Sequence, residues 1–255
     1  MAYSKDEIRQ MCETAIQCPE EFYKKKFVNF RGYAKNSKDL YTDIVAEFLL
    51  EPNNLKALKG IAEIERESSY YVKGHDGNYC SEKKNMDDEE ILAKKLFKQR
   101  DKDFPFEIID YQTPLKNKRG DKGVGKIDLL AVDRKESIIY ILELKKKRNT
   151  ETMLRCILEA YTYAKIVNKR KLVEDFAEAG KLDKAKVADY KLRIAPLIFV
   201  DGTQRDEMNE LARGNRDCLK KIIEELGKDE KWGEEYIVEP FYIDEKDDKF
   251  VISKI

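Results

Sequence analysis

Three charged residues are embedded in two apolar stretches of this chain. Asp128 lies in Lys126–Val132, and Glu143 and Lys145 lie in Ser137–Lys145. Both stretches read as β-strands from their Ile, Leu and Val content. A charge within an apolar strand is costly unless it is paired or binds a metal. The fold must therefore compensate all three. A turn over Asp133–Glu136 joins the strands as a hairpin, and a hairpin centred between Lys135 and Glu136 sets Asp128 opposite Glu143. Opposed side chains on one face are about 5 Å apart, and alternation puts Lys145 on the same face as Glu143.

Two carboxylates so close repel unless a cation lies between them. Oxygen ligands on a partly dry sheet face suit Mg²⁺ or Mn²⁺. The lysine can orient a water or stabilise a developing oxyanion. The plainer alternative is a structural ion pair between Lys145 and an acid at a strand end. A bulge would shift the register.

The chain has 255 residues, room for one large domain or a core with an appended helical part. Hydrophobic residues make up 42%, enough for a sizeable core. The 50 Lys and Arg cancel the 50 Asp and Glu, so contact with nucleic acid must come from local basic patches rather than net charge. No apolar run approaches the ~18 residues of a membrane span, and the N-terminus lacks a signal-peptide apolar region. The five scattered cysteines read as reduced thiols of a cytoplasmic protein. The single histidine, His75, rules out chemistry that needs two; its turn-like surroundings give it no evident role.

Along the chain, residues 1–70 read as mostly helical. Ser4 and Glu7 form a capping-box pattern; Asp39–Leu50 has a helical apolar stripe stopped at Pro52; and Asn54–Glu67 reads as another helix. Residues 73–87 read as a loop or linker. A helix follows from Asp87 or Asp88 to Arg100, then strands at Phe106–Pro114 and the two described above. Further helices are expected at Thr150–Asn168, Leu172–Tyr190 and Gln204–Leu226, a strand at Leu192–Val200, and a final hairpin at Tyr236–Tyr242 and Lys249–Ile255. Pro196 suggests an irregular or edge position in its strand. The division is a helical N-terminal region and linker over 1–86, a candidate recognition cap, and an α/β unit with a mixed sheet over 87–255.

The helix before the first strand is acidic at its start. Its apolar face is defined by Ile91, Leu92, Ala93, Leu96 and Phe97, and at about 100° per residue Glu89 falls within roughly 30° of the centre of that face. Glu89 is thus the acid best aimed at the site. The alternative is a hydrated acid favoured by the helix dipole.

In this order, Glu89, Asp128 and Glu143-Leu144-Lys145 resemble the PD-(D/E)xK nuclease superfamily, the restriction-endonuclease-like enzymes. The likeness covers about 87–200. It implies an αβββαβ core and Mg²⁺-dependent hydrolysis of phosphodiester bonds, most readily in DNA. It further implies that Asp128, Glu143, Glu89 and the Leu144 carbonyl hold the metal while Lys145 positions the attacking water. Many members carry Gln-x-x-x-Tyr on the next helix. Here Arg155, Glu159, Tyr161 and Tyr163 occupy that helix, and no Gln stands four residues before either tyrosine.

Basic residues flank the candidate site: Lys116, Lys118, Arg119 and Lys122 before Asp128, and Lys146, Lys147 and Arg148 after Lys145. They suit a phosphate backbone. Glu21–Tyr33 mixes basic and aromatic residues, which fits base stacking or, more simply, a helix with a buried aromatic face. The expected function is a metal-dependent nuclease in the cytoplasm, with nucleic acid as partner, no membrane, and a homodimer left open. The alternative is a non-catalytic nucleic-acid-binding or assembly module that keeps the fold.

Overall fold

The computed structural model describes residues 2–75, 77, 88–99, 104–117, 125–228, 240–247 and 249–254. Lys118, Arg119, Lys122, Asp87, Cys80 and the segment 229–239 lie outside the described residues. The chain is an α/β protein built on a six-stranded mixed sheet. Its strands are β1 (Glu107–Pro114), β2 (Lys126–Asp133), β3 (Ile138–Leu144), β4 (Lys191–Phe199), β5 (Phe241–Lys246) and β6 (Lys249–Ser253), and they neighbour one another in chain order. β1, β2 and β3 form an antiparallel meander, β4 and β5 continue parallel to β3, and β6 returns antiparallel.

The helices are α1 (Lys5–Ala15), α2 (Tyr41–Leu49), α3 (Pro52–Lys59), α4 (Asp88–Gln99), α5 (Met153–Ile166), α6 (Lys169–Glu178), α7 (Thr203–Ala212) and α8 (Asp217–Gly227). None of the described helices is long and apolar enough to cross a membrane.

β3 is buried on both faces because helices cover both sides. On one side α4 contributes Leu92, Ala93, Leu96 and Phe97, packed with Leu129, Leu142 and Leu144. Each large apolar side chain buried there contributes about 1.5–3 kcal/mol. The sheet curls, so α4 touches both β1 and β6, and Gln99 exchanges hydrogen bonds with the Phe250 backbone at 2.6 and 2.9 Å. On the other side α5 covers β3 and β4 and shares one core with the N-terminal elements, including Phe22, Tyr23 and Phe27. Thr152 caps α5 through the Arg155 N–H and donates to the Val28 carbonyl at 2.9 Å, tying the N-terminal region to the helix start.

Several elements differ from the sequence expectation. Asn54–Glu67 is not one helix: α3 begins at Pro52, which suits a first helical position, and ends before Gly60. The chain then runs without regular structure, and the Ile64 N–H donates to Ile166 at the end of α5. Glu21–Tyr33 forms two 3-10 turns, Pro19–Lys24 and Lys26–Asn29, with Phe22, Tyr23 and Phe27 buried. α6 stops before Gly180, whose φ of +72° ends the helical path. Gly214, with φ +78°, divides α7 from α8. Both are positions where glycine adopts a left-handed backbone without steric cost.

Pro196 sits in β4, between β3 and β5. The Lys145 N–H donates to the Leu197 carbonyl, so Leu197 faces β3 and Pro196 faces the β5 side. Pairing with β5 begins only at Leu197 and Phe241. The missing proline N–H thus falls where β4 is locally an edge.

Candidate active site

The β2–β3 ladder pairs Leu129 with Leu142 and Asp133 with Ile138 and ends there, one step short of Asp128 and Glu143, which remain close enough for the Asp128 charge to act on Glu143. The Asp128 carboxylate is clamped at both oxygens. Oδ2 accepts the Leu144 N–H at 3.0 Å, and Oδ1 accepts the Gln112 carboxamide from β1 at 3.1 Å. Leu144 thus meets Asp128 through its amide.

Glu143 and Lys145 lie on the α5 side and are 3% and 2% exposed. The Lys145 ammonium is 2.7 Å from Glu143, 2.7 Å from Glu151 and 3.5 Å from Glu159. α5 supplies Glu159, whose carboxylate accepts the Tyr163 hydroxyl at 2.9 Å, one turn along. Tyr163 in turn accepts from the Tyr23 hydroxyl at 3.4 Å. Arg155 pairs with Glu151 at 2.9 Å, whereas Tyr161 is fully buried among apolar residues.

Glu89 approaches from the α4 side. Its carboxylate accepts the Asn149 carboxamide at 2.6 Å and the Lys146 N–H at 3.3 Å, so it braces the loop after β3. Gln204 holds the same loop from α7 through the Glu151 carbonyl at 2.7 Å.

The cluster thus holds more carboxylates than cations. Burial pushes Asp128 up to about 7; Lys145 opposes the shift, and Glu159 and Glu89 add to it. Asp128 keeps some solvent exposure, but the groups around it displace most of its hydration. Burial, reinforced by Glu159, also drives Glu143 well above the usual carboxylate range, against the pull of Lys145. For Lys145, burial favours the neutral amine, but Glu143 and the other acids outweigh it and raise the ammonium well above its ordinary value. These are the three physical causes that move a pKa, acting together.

Among the described residues, no three His, Cys, Asp or Glu side chains are grouped so as to hold a metal ion by themselves. The donor chemistry nonetheless fits a hard cation. Asp128 and Glu143 are mutually repelling oxygen donors, and Mg²⁺ is commonly held by one or two carboxylates with waters completing its shell.

Of the basic residues, Lys147 pairs with Asp201 at 2.9 Å, Lys146 and Lys116 are half-buried, and Arg148 is exposed without a charged partner among the described residues. Beside Tyr163 opens a cleft of about 520 Å³. Tyr23, Lys24 and Gly60–Ile64 from the N-terminal region form one side, and Gly125, Tyr163 and Ile166 the other.

Two residues that bond directly to Asp128 or Lys145 had no sequence assignment. Glu151 precedes a helix and carries no local signal; it reaches Lys145 only through the fold. Gln112 could have been noticed as a polar residue within an apolar strand. No family model, curated protein or solved structure matches the chain.

Proposed function

We propose that this chain is a metal-dependent nuclease of restriction-endonuclease-like architecture that hydrolyses phosphodiester bonds, with DNA as the favoured substrate. The observation that carries the reading is the convergence of Asp128, Glu143 and Lys145 at the end of one buried strand pair. The order α4, β1, β2, β3, α5, β4 supports the architecture, with α6 inserted before β4.

Asp128 and Glu143 would hold the divalent ion, which supplies a water of lowered pKa and neutralises phosphate charge. Lys145 is then in place to donate to a phosphate oxygen or to orient the attacking water. Glu159 and Tyr163 fix Lys145 from α5. Arg148 and Lys116 fit contacts to flanking phosphates. The unpaired thiols of Cys12, Cys18, Cys156 and Cys218 fit a reducing, cytoplasmic setting.

One observation favours the non-catalytic module as a second reading. Three carboxylates already engage Lys145, so the ammonium must exchange a partner before it meets a phosphate. Incubation of the full chain with labelled single-stranded and duplex oligonucleotides in Mg²⁺ or Mn²⁺ separates the two. The nuclease reading expects cleavage that falls at least a hundredfold in Asp128→Asn and Glu143→Gln, with circular dichroism unchanged. Cleavage undiminished in both variants would remove these residues from the chemistry; binding without cleavage would favour the module.

A further inference from the structure

Four non-glycine residues among those described have positive φ, and three of them, Asn36, Ser137 and Asp247, lie in turns. The fourth, Gln112, lies inside β1 with φ +49°. Its neighbours are in regular register, Tyr111 with Leu129 and Thr113 with Ile127. The strand therefore continues through a residue whose backbone is left-handed. Gln has no special tolerance for that region, unlike Gly and Asn. Such outliers persist where the surroundings impose them, and they gather at functional sites.

The consequence of the kink lies directly across the ladder. Gln112 and Asp128 are the positions left between the pairs Tyr111–Leu129 and Thr113–Ile127, and the Gln112 carboxamide Nε2 donates to Asp128 Oδ1 at 3.1 Å. The Leu144 N–H holds Oδ2 at 3.0 Å. One donor from β1 and one from β3 thus fix both the position and the rotation of a carboxylate on β2.

We propose that Gln112 is a positioning residue for Asp128, its strained backbone retained so that the carboxamide locks the carboxylate toward Glu143. This rests on the reading of Asp128 as a metal-binding acid. Groups that orient a ligand commonly matter about 10–100-fold in metal affinity.

The test uses the full chain and three variants: Gln112→Gly and Gln112→Asn, which suit the backbone but remove or shorten the side chain, and Asp128→Ala. Calorimetric titration with Mn²⁺ should show affinity lower by about 10–100-fold in Gln112→Gly, with the folded state retained by circular dichroism at the titration temperature. Hydrogen exchange at the Leu144 amide should accelerate at least tenfold in the same variant, while Ile141 and Leu142 keep their protection. Gln112→Asn should fall between.

A purely structural Gln112 would leave Mn²⁺ affinity within twofold and Leu144 exchange unchanged, which overturns the proposal. Failure of the underlying reading looks different. Mn²⁺ would then fail to bind the natural chain, or would bind Asp128→Ala equally well, whereas the Leu144 exchange result would still decide whether Gln112 locks the carboxylate.

Discussion

The Lys145 ammonium lies 2.7 Å from the Glu143 carboxylate, two residues earlier on the same strand path, with both side chains almost fully buried. An ion pair so deep owes its persistence to completeness: Glu151 and Glu159 occupy the remaining ammonium donors. Removing one partner of a buried pair leaves an uncompensated charge and typically costs about 3–5 kcal/mol. Lys145→Met is therefore expected to destabilise the chain by that amount at pH 7.5. The loss should shrink at pH 5, where Glu143 and its neighbours can take up protons in the variant. Urea unfolding at the two pH values measures this. Equal losses at both would mean that the acids are not what Lys145 compensates.

Asp128 gives stability a pH dependence of definite sign. Its pKa rises on folding from 3.8 to about 7, chiefly through burial. Between those values the folded chain binds more protons than the unfolded one, so stability falls as pH rises through that window. Below it the shift has no effect, and above it the full penalty applies, on the order of a few kcal/mol. Asp128→Asn should flatten this part of the pH–stability profile. Excess Mn²⁺ should likewise reduce the fall in the natural chain, and a chelator should restore it. Thermal melts from pH 4 to 8 provide the comparison; parallel profiles for Asp128→Asn and the natural chain would contradict the assignment.

Tyr163 and Tyr23 carry the cluster outward to the N-terminal region, and their hydroxyls should not be of equal worth. Tyr163 donates to a carboxylate at 2.9 Å, while Tyr23 donates to a neutral hydroxyl at 3.4 Å. A hydrogen bond to a charged group contributes about 1.5–3 kcal/mol, a neutral one about 0.5–1.5. Tyr163→Phe should thus cost more than Tyr23→Phe, since the edge-to-face ring contact survives in both. Chemical denaturation of the two variants settles the order, and the reverse order would be inconsistent with the Glu159 contact.

What could be read from the sequence was local or periodic. Hairpin symmetry about Lys135 and Glu136 is a matter of strand period, and the pairs Leu129–Leu142 and Asp133–Ile138 follow it. The Ser4–Glu7 capping box is likewise local, and both of its hydrogen bonds form. What could not be read was tertiary. Glu151 has no pattern around it, and only the packing of α5 on β3 brings it to Lys145. Glu89 lies on the apolar face as helical period implies, yet the end of β3 determines that it meets Asn149 and the Lys146 amide. The backbone of Gln112 leaves no mark in composition, nor does the register shift between Ile108 and Asp110 just before it, because neither position carries a glycine or proline. Asn54–Glu67 shows the opposite failure: its helical pattern extends past Gly60, but Ile61 and Ile64 pack against the core as irregular chain.

Gly125 provides the sharpest steric test of the site's outer wall. A Cβ at this position would lie 2.0 Å from the Tyr163 hydroxyl oxygen and 2.5 and 2.8 Å from ring carbons. Those distances are far inside van der Waals contact, and Tyr163 is held by Glu159 and Tyr23, so it cannot simply turn away. Gly125→Ala should therefore cost about 1–3 kcal/mol, as overpacking does. Tyr163→Phe should relieve part of that cost, because it removes the closest atom and the hydrogen bonds that hold the ring, whereas Tyr163→Ala should abolish it. A double-mutant cycle from denaturation midpoints reads the coupling directly. A Gly125→Ala cost that persists undiminished in Tyr163→Ala would show that the backbone of Gly125, rather than the ring pressed against it, is what requires glycine.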